Sequence, residues 1–322
     1  MATDQTIPVA SLSDFLAGGP RRAKFVQTVG EALVDVGFFA LCNHGVNTSL
    51  IDGAYKTAEE FFRLEVATKQ SYEVPGGFGQ RGYISYGREH AKNSKAPDLK
   101  EFWHVGQELA PDHPLAKSYP KNLWPDEVSG FRDTFLSLFN QLESCAFSIL
   151  EACALFIEEP QDTFSKAASA GDSILRVIHY PPIPDDADPH SIRAAAHEDI
   201  NLITLLCEAT TGGLELLERN GSWRPIHALK GQIVVDSGDM LQNVTNGYYR
   251  STTHRVVNPD NSRERRFSMP FFVHPKSAES LDPLTSCVAK TGGKKVFPAI
   301  TAGEYLAQRL REIGLGSDYK AK

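Results

Sequence analysis

Two histidines and a carboxylate frame the chemistry open to this chain. In the run AAAHEDINLITLL, His197 and Asp199 stand two residues apart. The apolar, partly β-branched residues that follow (Ile200, Leu202, Leu205, Leu206) predict a strand entering a core. Side chains two apart on a strand share a face, so imidazole and carboxylate should project together, with Glu198 turned away. A second imidazole is available at His254, in STTHRVVNP. Two histidines and one carboxylate form a facial donor set that suits a ferrous ion and leaves three positions open. An HxD pair alone is more often a satisfied histidine beside a solvated acid; the second histidine makes it a candidate metal centre.

A second group lies close by in sequence. After His254 come NPDNSRE, a turn by composition, and RRFSMPFFV, a strand. A hairpin centred near residues 260–261 would set His254 opposite Phe267 and Ser268, with Arg266 and Ser268 on a shared face. Phe267, Pro270, Phe271 and Phe272 around Arg266 predict burial, and a buried guanidinium needs an anion. Its fork matches a carboxylate, and a hydroxyl adds a directional donor. The glycine-rich stretch 74–87 and the strand after it suggest a third group. Arg81, Tyr83 and Trp103 are expected to border a substrate pocket, the aromatics giving apolar area and the arginine a donor.

These residues need elements to hold them. IPVASLSDF (7–15) reads as a short strand running into a turn with a serine to cap a helix. Residues 20–36 carry a helical stripe through Phe25, Val29, Leu33 and Val36, and 37–46 a strand closed by Asn-His-Gly. Residues 48–70 predict one amphipathic helix, 98–106 a half-buried strand, and 126–158 a long helix through Phe131, Phe135, Leu138, Leu142, Cys145, Ile149 and Cys153. The Gly77-x-Gly79-x-x-Gly82 match to a dinucleotide fingerprint lacks the strand before it and the helix after it. From about residue 173, many short β runs with Gly, Pro and Asn punctuation predict a double-sheet jelly roll. The fold class expected is mixed α and β, a jelly-roll core with flanking N-terminal helices and a C-terminal helix over 301–313. The regions expected are 1–118, 119–167, 168–277 for the jelly roll, and 278–322.

Composition sets the limits. The net charge of −7 argues against a partner held by nucleic-acid phosphates. Five scattered cysteines without CxxC spacing suggest reduced thiols in a cytoplasmic protein. No apolar run reaches the roughly 18 residues of a membrane span, and MATDQTIPVASL is unlike a signal peptide.

Taken in order, IPVASL, GFFALCNHGV, DLKEFW, HYPP, HED, GGLELL, SWRPI, GDMLQNVTNGYYRSTTHRVV and RRFSMPFF resemble the isopenicillin N synthase-like branch of the Fe(II)/2-oxoglutarate-dependent dioxygenases over nearly the whole chain. The resemblance implies a double-stranded β-helix with Fe(II) on His197, Asp199 and His254. It implies 2-oxoglutarate held by Arg266, Ser268 and Tyr180, the arginine and serine taking the distal carboxylate. O2 and a small-molecule substrate complete the reaction, in which decarboxylation to succinate is coupled to C–H oxidation. Ile178 and Asp236 stand where relatives frequently carry asparagine. A 2-oxoglutarate-independent oxidase similar to isopenicillin N synthase is the alternative within the branch, since it also keeps the RxS pair. A non-catalytic iron or ligand sensor and a zinc hydrolase are the alternatives outside it. Neither of these accounts for an open metal position beside a carboxylate-binding arginine.

Overall fold

A computed structural model gives the fold and describes residues 7–77, 79–89, 97–188, 190–227, 230–258 and 263–312. In chain order the elements are β1 (Val9–Ser11), α1 (Leu12–Ala17), α2 (Gly19–Asp35), β2 (Phe38–Cys42), α3 (Thr48–Phe62), α4 (Val66–Gln70), β3 (Gly82–Ile84) and β4 (Glu101–Gly106). Two helices follow, α5 (Phe131–Phe156) and α6 (Thr163–Ala168). Then come β5 (Ile174–Tyr180), β6 (Ala194–His197), β7 (Ile203–Cys207), β8 (Leu214–Leu217), β9 (Trp223–Pro225) and β10 (Ile233–Ser237). The chain continues through α7 (Asp239–Val244), β11 (His254–Val256), β12 (Arg266–Val273), α8 (Thr285–Lys290) and α9 (Ala302–Glu312).

The helices form where apolar residues recur every three or four positions. Asn47 starts α3 by accepting from Ser49 N at 2.8 Å and Leu50 N at 3.3 Å. Ile51, Ala54, Ala58 and Phe61 then face inward. Residues 48–70 are two helices rather than the one expected, α3 ending at Phe62 and α4 beginning at Val66. The α5 stripe is buried as the pattern predicts, from Phe131 to Cys153. Gly30 lets α2 approach α5: a Cβ there would sit 2.0 Å from the Phe156 ring. Among the described residues, no helix is long and apolar enough to cross a membrane.

The strands make two facing sheets, the jelly roll expected. One has eight strands in the order β1-β2-β10-β7-β12-β5-β4-β3, the other four in the order β6-β11-β8-β9. Helices cover the outer face of the larger sheet in the main apolar core. Phe38, Ala40, Leu214, Leu216, Ile226, Val234 and Val256 fill one end of the space between the sheets. β4 is wholly buried rather than half-buried, because it lies inside the sheet between β3 and β5.

Two local expectations are corrected. HED is not one strand: β6 stops at His197, and Asp199 lies in the connection to β7. Residues 254–273 are not a hairpin either. β11 pairs with β6 and β8, while β12 pairs with β5 and β7 in the opposite sheet. A jelly roll sends successive strands to alternate sheets, so a short link and a turn-rich composition mislead.

Candidate active site

The triad forms where β6 and β11 meet. His254 is the register partner of His197, and their rings are 4.5 Å apart between centroids. His254 Nε2 lies 3.7 Å and His197 Nε2 3.8 Å from Asp199 Oδ1. All three ligand atoms fall within 4.8 Å of one another, a spacing that one ion can bridge. Each ring is oriented through Nδ1, which lies 2.7 Å from the Ala195 carbonyl in His197 and 3.1 Å from the Thr252 carbonyl in His254. Nδ1 donates there, so Nε2 keeps its lone pair for the centre. Burial and the neighbouring His197 push the His254 pKa down, which also favours the neutral ring.

Asp199 is held although it lies beyond the strand. The Thr204 hydroxyl donates to its Oδ2, leaving Oδ1 to face the two histidines. Asn201 Nδ2 donates to the same hydroxyl at 2.8 Å. The backbone around it is tied to the start of α7, with Asp239 N on the Asp199 carbonyl at 2.7 Å and Met240 N on the Asn201 carbonyl at 3.0 Å. Gly238 makes this possible, since a Cβ there would meet the Asn201 carbonyl oxygen at 2.4 Å. Thr204 and Asn201 carry no chemical signature in sequence; only the fold puts them behind the carboxylate.

In the larger sheet, outside the lining of the cavity described below, Arg266 is the register partner of Tyr180, and Ser268 of Ile178. The Arg266 guanidinium is 4.9 Å from the Tyr180 ring centroid. Its Nε donates to the Thr211 and Gly212 carbonyls, each at 3.2 Å. Its Nη1 is buried and has no partner among the described residues. A second buried guanidinium, Arg193, reaches the same tyrosine at 5.8 Å. Burial and Arg266 together lower the Arg193 pKa, so the two cations make a positive recess. The sequence offered no signal for Arg193.

A cavity of about 280 Å³ opens beside this centre, with His197 and Asp199 in its wall. Its lining otherwise comes from the residues before β3, β4 and β5, from β4, β5, β12, the β6–β7 connection and α9, and includes Lys100, Arg176, Phe272, His274, Leu306 and Arg309. Arg81, Tyr83 and Trp103 are not in this lining. Arg81 is 2 % exposed and lies behind the wall, on the Gln80 carbonyl at 2.7 Å and Asp172 at 3.1 Å. The Tyr83 hydroxyl donates to Glu101, and Trp103 packs edge-on to Phe61 and Phe131 at 4.8 and 5.2 Å.

Comparisons with known proteins agree with this geometry. Residues 7–127 match the family model described as non-haem dioxygenase in morphine synthesis N-terminal, and residues 171–275 match the 2OG-Fe(II) oxygenase superfamily. A 2-oxoglutarate-Fe(II) type oxidoreductase of Emericella nidulans is 30% identical, over 97% of this chain and 92% of its own length. A 2OG-Fe(II) oxygenase family protein from Caulobacter crescentus superposes with a TM-score of 0.85 at 40% identity, covering 96% of this chain and 99% of that one. A Neurospora crassa protein solved with 2-oxoglutarate gives 0.84 at 28% identity, with 97% of each chain covered. The same protein has also been solved with 2-oxoglutarate and thymine. By sequence and by fold, then, this chain belongs to the 2OG-Fe(II) oxygenase superfamily and is a non-haem oxygenase that uses Fe(II), 2-oxoglutarate and O2.

Proposed function

We propose that His197, Asp199 and His254 are the three protein ligands of Fe(II), and that Arg266 and Ser268 receive the distal carboxylate of 2-oxoglutarate beside Tyr180. The observation that carries this reading is Arg266. It is 1 % exposed, has no ion pair among the described residues, and leaves Nη1 without a partner. A cation so placed is costly unless a ligand brings the anion. The triad fits a divalent ion on the same grounds, with two neutral imidazoles and one carboxylate aimed at a single point.

When bound, iron and 2-oxoglutarate supply the oxidising chemistry that breaks a substrate C–H bond and releases succinate and CO2. The chain supplies position. Ala195 and Thr252 fix the histidine tautomers, and Thr204 sets which Asp199 oxygen faces the metal. Arg266 anchors the co-substrate from the opposite sheet, so the ligand is clamped between β12 and the triad. The cavity suits a small molecule; the Neurospora relative holds thymine or 5-formyluracil.

The ordered motifs favour the isopenicillin N synthase-like branch, and five unpaired cysteines, four of them buried, favour a cytoplasmic setting. The test is O2-dependent release of succinate from 2-oxoglutarate by Fe(II)-loaded protein. Succinate should form in wild type and fall to background in Asp199→Ala. Equal succinate from both would refute the reading.

A further inference from the structure

The ionic side chains clustered around Arg176 in the wall of the cavity cancel one another. Arg176, on the inward face of β5, has its guanidinium between the Phe102 and Phe272 rings, at 4.2 and 5.2 Å from their centroids. Its Nε donates to His104 Nε2 at 2.6 Å, and its Nη1 to both Glu89 oxygens at 3.3 and 3.2 Å. Lys100 completes the set, 2.7 Å from Glu89 and 2.8 Å from Asp98. Two cations therefore meet two carboxylates. Behind them Arg81 is matched by Asp172.

Protonation states support this balance. His104 Nδ1 lies 2.5 Å from the Gly79 carbonyl, so that nitrogen carries the proton and Nε2 accepts from Arg176. Burial, then the Arg176 charge, pushes the His104 pKa well down and keeps the ring neutral. Burial works against ionisation of Glu89, but Arg176 and Lys100 outweigh it and hold the carboxyl far below its usual range. Among the described residues this cluster has fixed charges and no net charge; elsewhere in the wall Asp199 belongs to the triad, Glu198 is a further carboxylate, and Arg309 is paired with Asp239 at 3.2 Å.

The network leaves the Arg176 Nη2 donor over. Arg176 lines the cavity, and its Nη2 has no protein partner among the described residues. The Gln80 amide lines the same wall, with Oε1 buried and without a partner among the described residues. Phe272 and Ile174 add apolar surface. A carboxylate entering here would lose its water without gaining a net positive field, because Glu89 and Asp98 already use the available charge. A carbonyl has far less hydration to lose and can still take the Arg176 hydrogen bond.

We propose that this cavity takes an uncharged planar ring bearing a carbonyl beside an N–H, a lactam or cyclic imide, with its carbonyl on Arg176 Nη2. Glu89 and Asp98 are then the residues that exclude carboxylates of the same size. The inference rests on the oxygenase reading only in placing the ring beside the metal centre.

Calorimetric titration of anaerobic Fe(II)-loaded protein tests it, with uracil and 2-pyridone as neutral probes and benzoate as the planar anion. Both neutral rings should bind, and benzoate at least about tenfold more weakly. Arg176→Met should weaken the neutral probes by about 10- to 100-fold, the loss of one charge-assisted hydrogen bond. Glu89→Gln keeps Arg176 but leaves one cation in excess, and should shift the benzoate-to-uracil affinity ratio toward benzoate by about tenfold or more. Melting curves check that each variant folds; if Arg176→Met does not, the Glu89→Gln ratio decides. Benzoate binding as tightly as the neutral rings, no binding of either neutral ring, or an unchanged ratio in Glu89→Gln would overturn the proposal. Titrating 2-oxoglutarate separately keeps the two readings apart. Its failure to bind would count against the oxygenase site, while the probe ratio can still be read without it.

Discussion

On the helix side of the eight-stranded sheet, Glu101 accepts from Lys69 Nζ at 2.8 Å, from His179 Nδ1 at 2.8 Å and from the Tyr83 hydroxyl. One residue along each strand, on the opposite face, Tyr180 and Arg266 form the positive recess. Both groups are buried and both contain a cation. In the first, the charges answer each other, and the His179 ring is closed off by Phe267 at 4.6 Å and Phe62 at 5.3 Å. Its one unpartnered atom among the described residues, His179 Nε2, is a lone pair on a ring whose pKa burial pushes down. In the second, a positive charge has carbonyls on Nε and, among the described residues, nothing on Nη1. Buried charge that is complete within the chain serves the fold; buried charge that is incomplete marks where a ligand belongs.

This contrast can be broken by substitution. The largest effect should be on the metal. His254→Ala removes one of three ligands and should lower Fe(II) affinity by more than about 100-fold, since even partners that merely orient a ligand are worth 10- to 100-fold. Anaerobic iron occupancy measures it, and wild-type occupancy would refute the ligand assignment. Glu101→Gln should act on the other group: Lys69 would be left buried without its counter-charge, costing about 3–5 kcal/mol of stability. Denaturant unfolding reads the loss. Iron affinity should stay near wild type, and a loss of metal without a loss of stability would reverse the roles given to the two faces.

A smaller effect should come from Thr204→Val, which keeps shape but frees Asp199 Oδ2 to rotate. Iron affinity should fall by about 10- to 100-fold with little change in melting temperature. An unchanged affinity would mean that the backbone bonds around Gly238 position Asp199 by themselves.

How far the sequence foretold this follows the range of the contacts. Helical stripes, the jelly roll and the His197, Asp199 and His254 set were legible because each shows as a local period or an ordered motif. The route to the triad was not. The two-apart spacing suggested a common strand, whereas Asp199 reaches the histidines from a turn held by Thr204 and α7. The hairpin expected for 254–273 failed because pairing in this fold is not between sequence neighbours. Arg81 looked like a wall residue because its counter-ion, Asp172, is 91 positions away. Arg176 gave no signal for the same reason, its Glu89 partner lying 87 positions back. Charges balanced across such distances cannot be paired from the sequence.

The claim that Arg266 is reserved for the co-substrate is tested most directly by comparing 2-oxoglutarate with 2-oxopentanoate, which has a methyl group where the distal carboxylate stands. Both are titrated calorimetrically into anaerobic Fe(II)-loaded wild type and Arg266→Met. Wild type should prefer 2-oxoglutarate by roughly 30- to several-thousand-fold, the worth of a buried charge-assisted pair of about 2–5 kcal/mol. Arg266→Met should lose that preference while keeping or gaining stability in the absence of ligand, because an unpaired buried cation has gone. Equal binding of the two acids by wild type, or a preference that survives in Arg266→Met, would contradict the account.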